Sequence, residues 1–195
     1  MNESYALRFS VDYPDRDLDR LTSAFRIFTV IPIAIVVALV SGAINAGGIL
    51  FLAPLLMILF RKKYPRWWFD WNRELLRFQA RVGAYSALLS DEYPSTDEQQ
   101  YVHLEVDYPN VETDLARGMP LVKWFLAIPH YVVLLFLYIA AVVCVIIAWF
   151  AILFTGRYPR SLFDFVVGVQ RWALRVVAYA FVLVTDEYPP FSLQE

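Results

Sequence analysis

Two stretches of the 195-residue chain, Ile27 to Phe60 and Trp124 to Gly156, contain no Asp, Glu, Lys or Arg. Every one of the 17 basic and 19 acidic residues therefore lies outside them. At about 1.5 Å per residue, either block would make a continuous helix of roughly 50 Å, against a bilayer hydrocarbon core of about 30 Å. Each block is accordingly expected to turn. The polar groups Ser41-Gly42 and Asn45-Ala46-Gly47-Gly48 offer the turn in the first block, and Tyr138 to Ala141 is the expected break in the second. Two full crossings normally need about 40 apolar residues, so short hairpins and intramembrane wedges are both open. The 59% hydrophobic content exceeds the roughly 45–50% of soluble domains. The first apolar run is too long for the core of a secretory signal.

The chain also repeats itself. Val11-Asp12-Tyr13-Pro14 returns as Val106-Asp107-Tyr108-Pro109, Tyr64-Pro65-Arg66 as Tyr158-Pro159-Arg160, Phe69-Asp70 as Phe163-Asp164, Ala84-Tyr85 as Ala178-Tyr179, and Asp91-Glu92-Tyr93-Pro94 as Asp186-Glu187-Tyr188-Pro189. The offset stays near 95, while Ile31-Pro32 and Ile128-Pro129 match at 97, which implies a short insertion near Thr113 and a compensating deletion. A tandem duplication follows, with one repeat over residues 1–98 and another over 99–195.

Each half opens with strict alternation: Leu7, Phe9, Val11 and Tyr13 against Arg8, Ser10 and Asp12, then Val102, Leu104, Val106 and Tyr108 against His103, Glu105 and Asp107. Period two marks a half-buried strand, or an extended tail if no sheet partner exists. A short polar helix is expected next, around Asp17, Leu18 and Arg20 and again around Asp114, Leu115 and Arg117. After each apolar block comes a helix with one apolar face: Trp68, Trp71, Leu75, Phe78, Val82, Tyr85 and Leu89 in the first copy, and Leu162, Phe165, Val169, Trp172, Val176, Tyr179 and Leu183 in the second. Arg73, Arg77 and Arg81 form a second stripe in the first copy, with Asp70 and Glu74 within reach. Such basic, Trp-rich helices are expected to lie in the headgroup layer, with Trp67, Trp68, Trp71 and Trp172 as interfacial anchors.

The fold expected is a mainly α integral membrane protein, a tandem repeat of strand, apolar helical hairpin and basic amphipathic interfacial helix. It has four membrane helices and a small cytoplasmic β element. Arg26, Arg61, Lys62, Lys63 and Arg66 flank the first block, and Arg117, Lys123, Arg157 and Arg160 flank the second. Positive-inside reasoning then puts both ends of both blocks, and both termini, in the cytoplasm, with parallel repeats about an axis along the membrane normal.

The second copy, Arg157 to Ala180 followed by Thr185 to Phe191, resembles the signature of the DUF4389 family, uncharacterised bacterial integral membrane proteins, present here as two tandem copies. The first copy departs from it, with Asn72-Arg73-Glu74 opposite Val166-Val167-Gly168 and Ser95 opposite Pro190. The resemblance implies a multi-pass protein of the bacterial inner membrane and supplies no catalytic residue.

Asp70 with Arg73, Arg77 and Arg81, and Asp164 with Arg171 and Arg175, are the candidate contacts, either for phosphates of lipid headgroups and acidic partners or as helix-dipole and snorkelling residues. The two Asp-Glu-Tyr-Pro motifs read as solvated helix ends rather than as a metal or acid-base site. His103 should be exposed. His130 is an ionisable group inside a charge-free block, yet only seven residues beyond Lys123 and replaced by Ile33 in the first copy. Cys144, the single cysteine, cannot form a disulfide within the chain. No phosphate loop, Gly-x-Ser-x-Gly, His-Glu-x-x-His or Cys-x-x-Cys is present, so no catalytic residue, metal or cofactor is expected. A net charge of −2 disfavours nucleic acid. The expected partners are membrane lipids, anionic ones foremost, and another membrane protein or further copies of the chain. Function is expected to be that of a non-catalytic subunit that organises a larger membrane complex. A lipid-binding or small-solute transport protein is the alternative, and membrane shaping a third.

Overall fold

A computed structural model of the chain describes residues 5–45, 49–96, 98 and 100–194, with side chains described outside 41–51. It is mainly helical with one small sheet. The order is β1 (Leu7–Val11), α1 (Arg20–Ala24), α2 (Arg26–Asn45), α3 (Ile49–Arg61), α4 (Arg66–Ser86), β2 (Val102–Val106), α5 (Met119–Leu126), α6 (Ile128–Thr155) and α7 (Arg160–Val177). α7 continues through a π-helical turn over Ala178–Val182.

The alternation at each chain half gives a strand, and the two strands are each other's partner. β1 and β2 pair antiparallel with Phe9 opposite Leu104, its own counterpart at the repeat offset of 95. The sheet is therefore centred on a local two-fold relation between the halves. Leu7, Phe9, Val11, Val102, Leu104 and Val106 face inward and are buried, while the outer face carries Arg8 between Glu105 and Asp107, and His103 beside Asp12.

The strands are also exchanged. β1 lies on α7 of the second half and β2 on α4 of the first. At each strand end the Tyr-Pro motif reaches the other half: the Tyr13 hydroxyl donates to the Tyr158 carbonyl and the Tyr108 hydroxyl to the Tyr64 carbonyl. Tyr13 meets Phe163 edge-on at 5.0 Å, and Tyr108 meets Phe69 in the same way at 5.0 Å. Arg160 lies over the Tyr13 ring and Arg66 over the Tyr108 ring, each at 4.6 Å. The repeated motifs are thus the two sides of one interlock, and neither half buries its aromatic residues alone. Among them Tyr64 and Tyr158 are nearly inaccessible, and burial pushes both phenols well above the ordinary tyrosine range.

The same relation orders the helices. α2 packs on α4 as α6 packs on α7, and α3 meets α5 as α6 meets α1. The short helix falls later than expected. Leu18 and Leu115 are buried in the approach to it, and Asp19 caps α1 by accepting the Leu21 and Thr22 amides at 2.8 and 3.0 Å.

The expected turn at Tyr138 to Ala141 does not exist: α6 is one unbroken helix of 28 residues. Nothing in that stretch can break it, since it contains no Gly, no internal Pro and no polar group to compete for backbone hydrogen bonds. The second half therefore has no hairpin. In the first block Ser41, Gly42 and Asn45 lie in α2, and the rest of the expected turn, Ala46 to Gly48, falls outside the described residues. Among the described residues, two helical stretches, Met119–Thr155 and Arg160–Val182, are long and apolar enough to cross a membrane. Their surroundings differ: 17% of the first apolar window is buried inside the protein against 67% of the second, so α6 faces outward and α7 is a core helix. α6 touches the protein along one seam, with Leu134, Ala141 and Ala148 buried at seven-residue steps and Phe136, Ile139, Val143 and Ile147 exposed on the other side.

Four residues with left-handed backbone mark equivalent chain reversals. Gly156 (φ 78) ends α6 where Lys62 (φ 47) ends α3, and Leu183 (φ 61) ends the second amphipathic helix as Leu88 (φ 62) ends the first. Only one of these sites uses glycine. A Cβ on Gly156 would sit 3.3 Å from the Asp17 side chain, just where the Leu18 amide donates to the Gly156 carbonyl at 2.8 Å. Gly156→Ala should cost about 1–2 kcal/mol by thermal unfolding in detergent, whereas Lys62→Gly, which relieves the same backbone strain, should show no loss of that size.

Candidate functional site

The amphipathic helices α4 and α7 each start after a Tyr-Pro, whose proline fixes the entry and ends the preceding extended residues. Their apolar faces turn inward to protein. Leu75, Phe78, Val82 and Tyr85 on α4 are buried, as are Val169, Trp172, Val176 and Tyr179 on α7 and its continuation. The periodicity foretold the helices, but their faces are covered by α2, α6 and the exchanged strands rather than by headgroups.

The charged stripe is placed by the same exchange. Arg77 Nε donates to the Leu104 carbonyl at 2.9 Å, and its counterpart Arg171 Nε donates to the Phe9 carbonyl at 2.8 Å. Each guanidinium thus holds the central residue of the other half's strand. One turn on, Arg81 reaches the Ser95 carbonyl at 2.7 Å and Arg175 the Gln194 carbonyl at 2.9 Å, clasping the segment that follows each Asp-Glu-Tyr-Pro motif. Arg171 also reaches the Leu193 carbonyl. The acids take other partners: Asp70 lies 3.4 Å from Arg66 and 3.3 Å from Arg73, and Asp164 pairs with Arg160 at 3.1 Å. Asp70 and Asp164 are thus not brought onto the repeated Arg77, Arg81, Arg171 and Arg175. Glu74 bridges Arg73 and Arg77.

Of the aromatic residues expected at the interface, Trp67 and Trp71 are exposed and Trp68 is half-buried. Trp172 is not an anchor: it is buried, and its indole N–H donates to His130 Nδ1 at 2.9 Å. His130 is fully buried, stacked 4.1 Å from Phe191 and beside Tyr188. It is a core residue of the second half rather than an interfacial one. His103 is exposed, with Nε2 2.9 Å from Asp12.

A second repeated constellation is visible only in three dimensions. Arg26, at the start of α2, is 3% exposed and paired with Asp91 at 2.7 Å; it also donates to the Ser90 carbonyl and lies 3.8 Å from the Tyr85 ring. Lys123 in α5 is 0% exposed, pairs with Asp186 at 2.7 Å, donates to the Thr185 carbonyl at 2.6 Å and lies 5.1 Å from the Tyr179 ring. Each carboxylate has a further donor, the Asp19 amide at Asp91 and the Ala116 amide at Asp186. Asp91 and Asp186 are therefore not solvated helix ends. Asp91 joins the tail of the first half to the N-cap of α1 and the start of α2, and Asp186 joins the tail of the second half to α5 and the residues ahead of it. The signal was in the sequence, since cation, acid and tyrosine all recur, but Arg26 and Lys123 repeat at 97 and the acids at 95, which separates them in a single-offset comparison.

The model of one family, described as a domain of unknown function (DUF4389), matches residues 20–96 and 119–192. The chain belongs to this family. No curated protein and no solved structure matches the chain. The two DUF4389 units each contain a buried cation paired with a carboxylate and one amphipathic helix, while the exchanged strands lie outside both matched segments. The DUF4389 unit is thus completed by a strand from the neighbouring copy.

A buried ion pair that loses one partner leaves an uncompensated charge, typically a loss of about 3–5 kcal/mol. Asp91→Asn should therefore lower stability in detergent by about that amount, read by thermal unfolding. Asp70→Asn, whose partners Arg66 and Arg73 are exposed and partly exposed, should change it by less than about 1 kcal/mol.

Proposed function

We propose that the protein is a non-catalytic integral membrane subunit that organises or stabilises a larger complex in the bacterial inner membrane. One observation carries this reading: the exposed side of α6 is apolar along its whole length. The repeated cations of the two halves are engaged inside, with Arg26 and Lys123 on carboxylates and Arg77 and Arg171 on strand carbonyls. What α6 turns outward is apolar surface, which in water would be a liability and in a bilayer is a contact face for lipid or for another membrane protein. Anionic lipids are the expected surroundings, with exposed Trp67 and Trp71 and the partly exposed Arg73 at the headgroup level.

The fold also suggests how α6 sits. Its start follows α5 and its end bonds to the approach to α1, so both ends are held at symmetry-equivalent parts of the two halves. With the two-fold axis along the membrane normal, those parts share one depth. A helix of about 42 Å whose ends share one depth then lies along the membrane plane rather than upright across it.

The reading is tested by mild-detergent purification of the full chain. A distinct protein should co-isolate in fixed ratio, and Phe136→Gln with Ile139→Gln on the exposed side of α6 should abolish co-isolation while leaving the chain folded and membrane-bound. Purification of the chain alone, or a partner unaffected by those substitutions, would overturn it.

A further inference from the structure

The two halves differ at the corner after the strand. Between the Tyr-Pro and the next buried leucine the second half has two more residues, Pro109 to Leu115 against Pro14 to Leu18. The longer loop closes on itself. The Asn110 amide donates to Asp114 at 2.8 Å, the Asp114 amide returns to the Asn110 carbonyl at 2.7 Å, and Val111 is buried in the core. Lys62 fastens this loop to the body through the Glu112 carbonyl at 2.8 Å. The shorter loop offers only Asp15, Arg16 and Asp17, none of them apolar, and its corner stays open. A cleft of about 700 Å³ lies there between the loop, Ser90-Asp91 and Tyr101, and a smaller one of about 220 Å³ shares the loop and ends on Arg157 and Tyr158. The larger volume suits a small molecule or a headgroup.

Most charges lining the two clefts already have partners. Asp91 is held by Arg26, Arg160 by Asp164, Arg157 by Asp17 and Asp12 by His103. Asp15 and Arg16 are the exceptions. Both are exposed and line both clefts, and among the described residues neither side chain has an ion pair or hydrogen bond, not even with the other. One free carboxylate beside one free guanidinium sets the chemistry of an occupant. A bare anion would gain Arg16 and be repelled by Asp15, and a bare cation would meet the reverse. A molecule carrying a phosphate and an ammonium a few bonds apart satisfies both, with the phosphate on the planar donor fork of the arginine. The ammonium is best a primary one, because only N–H groups donate to a carboxylate.

The clefts lie where α6 ends. The Leu18 amide donates to the Gly156 carbonyl at 2.8 Å, and close by in the chain Leu21 and Phe154 are 69% and 78% exposed. A charged cleft beside outward apolar side chains matches the boundary between headgroups and hydrocarbon.

We propose that this corner binds the headgroup of one phosphatidylethanolamine, with Asp15 holding the ammonium and Arg16 the phosphodiester. Asp15 and Arg16 lie outside both DUF4389 segments, and the equivalent loop of the second half contains no cation. The inference goes beyond the subunit reading and needs no protein partner.

The full-length protein is reconstituted into vesicles of equal parts dioleoyl phosphatidylethanolamine, phosphatidylcholine and phosphatidylglycerol, re-extracted in mild detergent, washed and examined by native mass spectrometry. The wild type should keep about one phosphatidylethanolamine per chain, preferred by at least about tenfold over either other lipid. Arg16→Gln should lose the bound lipid, and Asp15→Asn, which leaves the cation alone, should turn the preference toward phosphatidylglycerol. Both side chains are exposed and unpaired, so thermal stability should not change. Arg61→Gln, which removes an exposed cation outside the corner, should keep the wild-type pattern. Equal retention of the three lipids, a wild-type preference for phosphatidylglycerol, a corner variant that behaves as wild type, or an equal loss in Arg61→Gln would each overturn the proposal. So would a wild type that takes up soluble phosphoethanolamine as readily as the lipid, since the ligand would then come from water. None of these outcomes depends on whether a protein partner co-isolates.

Discussion

The bond from one guanidinium to the middle of the other half's strand is the contact on which the architecture rests. Arg77 on Leu104 and Arg171 on Phe9 anchor a sheet of only two short strands, which would be marginal by itself. Once each strand is held on the opposite helix, its buried residues close the core and its Tyr-Pro corner delivers a tyrosine to the other half's helix start. A duplicated chain that exchanges strands cannot be divided into two independent domains. The loops that carry the exchange also fix where α1 and α5 begin, and so where both ends of α6 are held.

Within each half the buried charge pair does a complementary task. Arg26 with Asp91 ties the tail to the start of α2 and Lys123 with Asp186 ties it to α5, while the exchanged strands tie half to half. Burial makes such pairs intolerant of losing a partner more than it makes them a source of net stability. They also alter the meaning of the flanking charges. Arg26, Lys123, Arg157, Arg66 and Arg160 all carry counter-ions supplied by the protein itself, so they are weaker markers of membrane orientation than bare cations would be.

Much of the local structure was legible in the sequence, because local structure is written in periods. Leu7-Phe9-Val11 and Val102-Leu104-Val106 announced strands, and the three-and-four spacing after Tyr64 and Tyr158 announced helices. Pairing of β1 with β2 was not legible, since alternation says which side is buried and not against what. The unbroken α6 was missed because the turn was inferred from block length against the thickness of the hydrocarbon core, a limit that binds only a helix standing upright across it; the flanking cations that supported a hairpin are paired with Asp186 and Asp17. The guanidinium stripe was visible, but its acceptors are main-chain carbonyls, which leave no trace in a list of side chains. Trp172 resembled the boundary tryptophans of the first copy; its burial is set by His130, which stands where the first half has Ile33.

The exchange of strands, the two-fold relation and the in-plane lie proposed for α6 form one connected claim, and the sidedness of the two ends of α6 tests it most directly. Single cysteines placed at Arg117, ahead of α5, and at Arg157, after α6, in a Cys144→Ala background, can be probed in sealed vesicles with a membrane-impermeant thiol reagent. The account predicts that both positions are modified from the same side. Modification from opposite sides would mean that α6 crosses upright, and would contradict it.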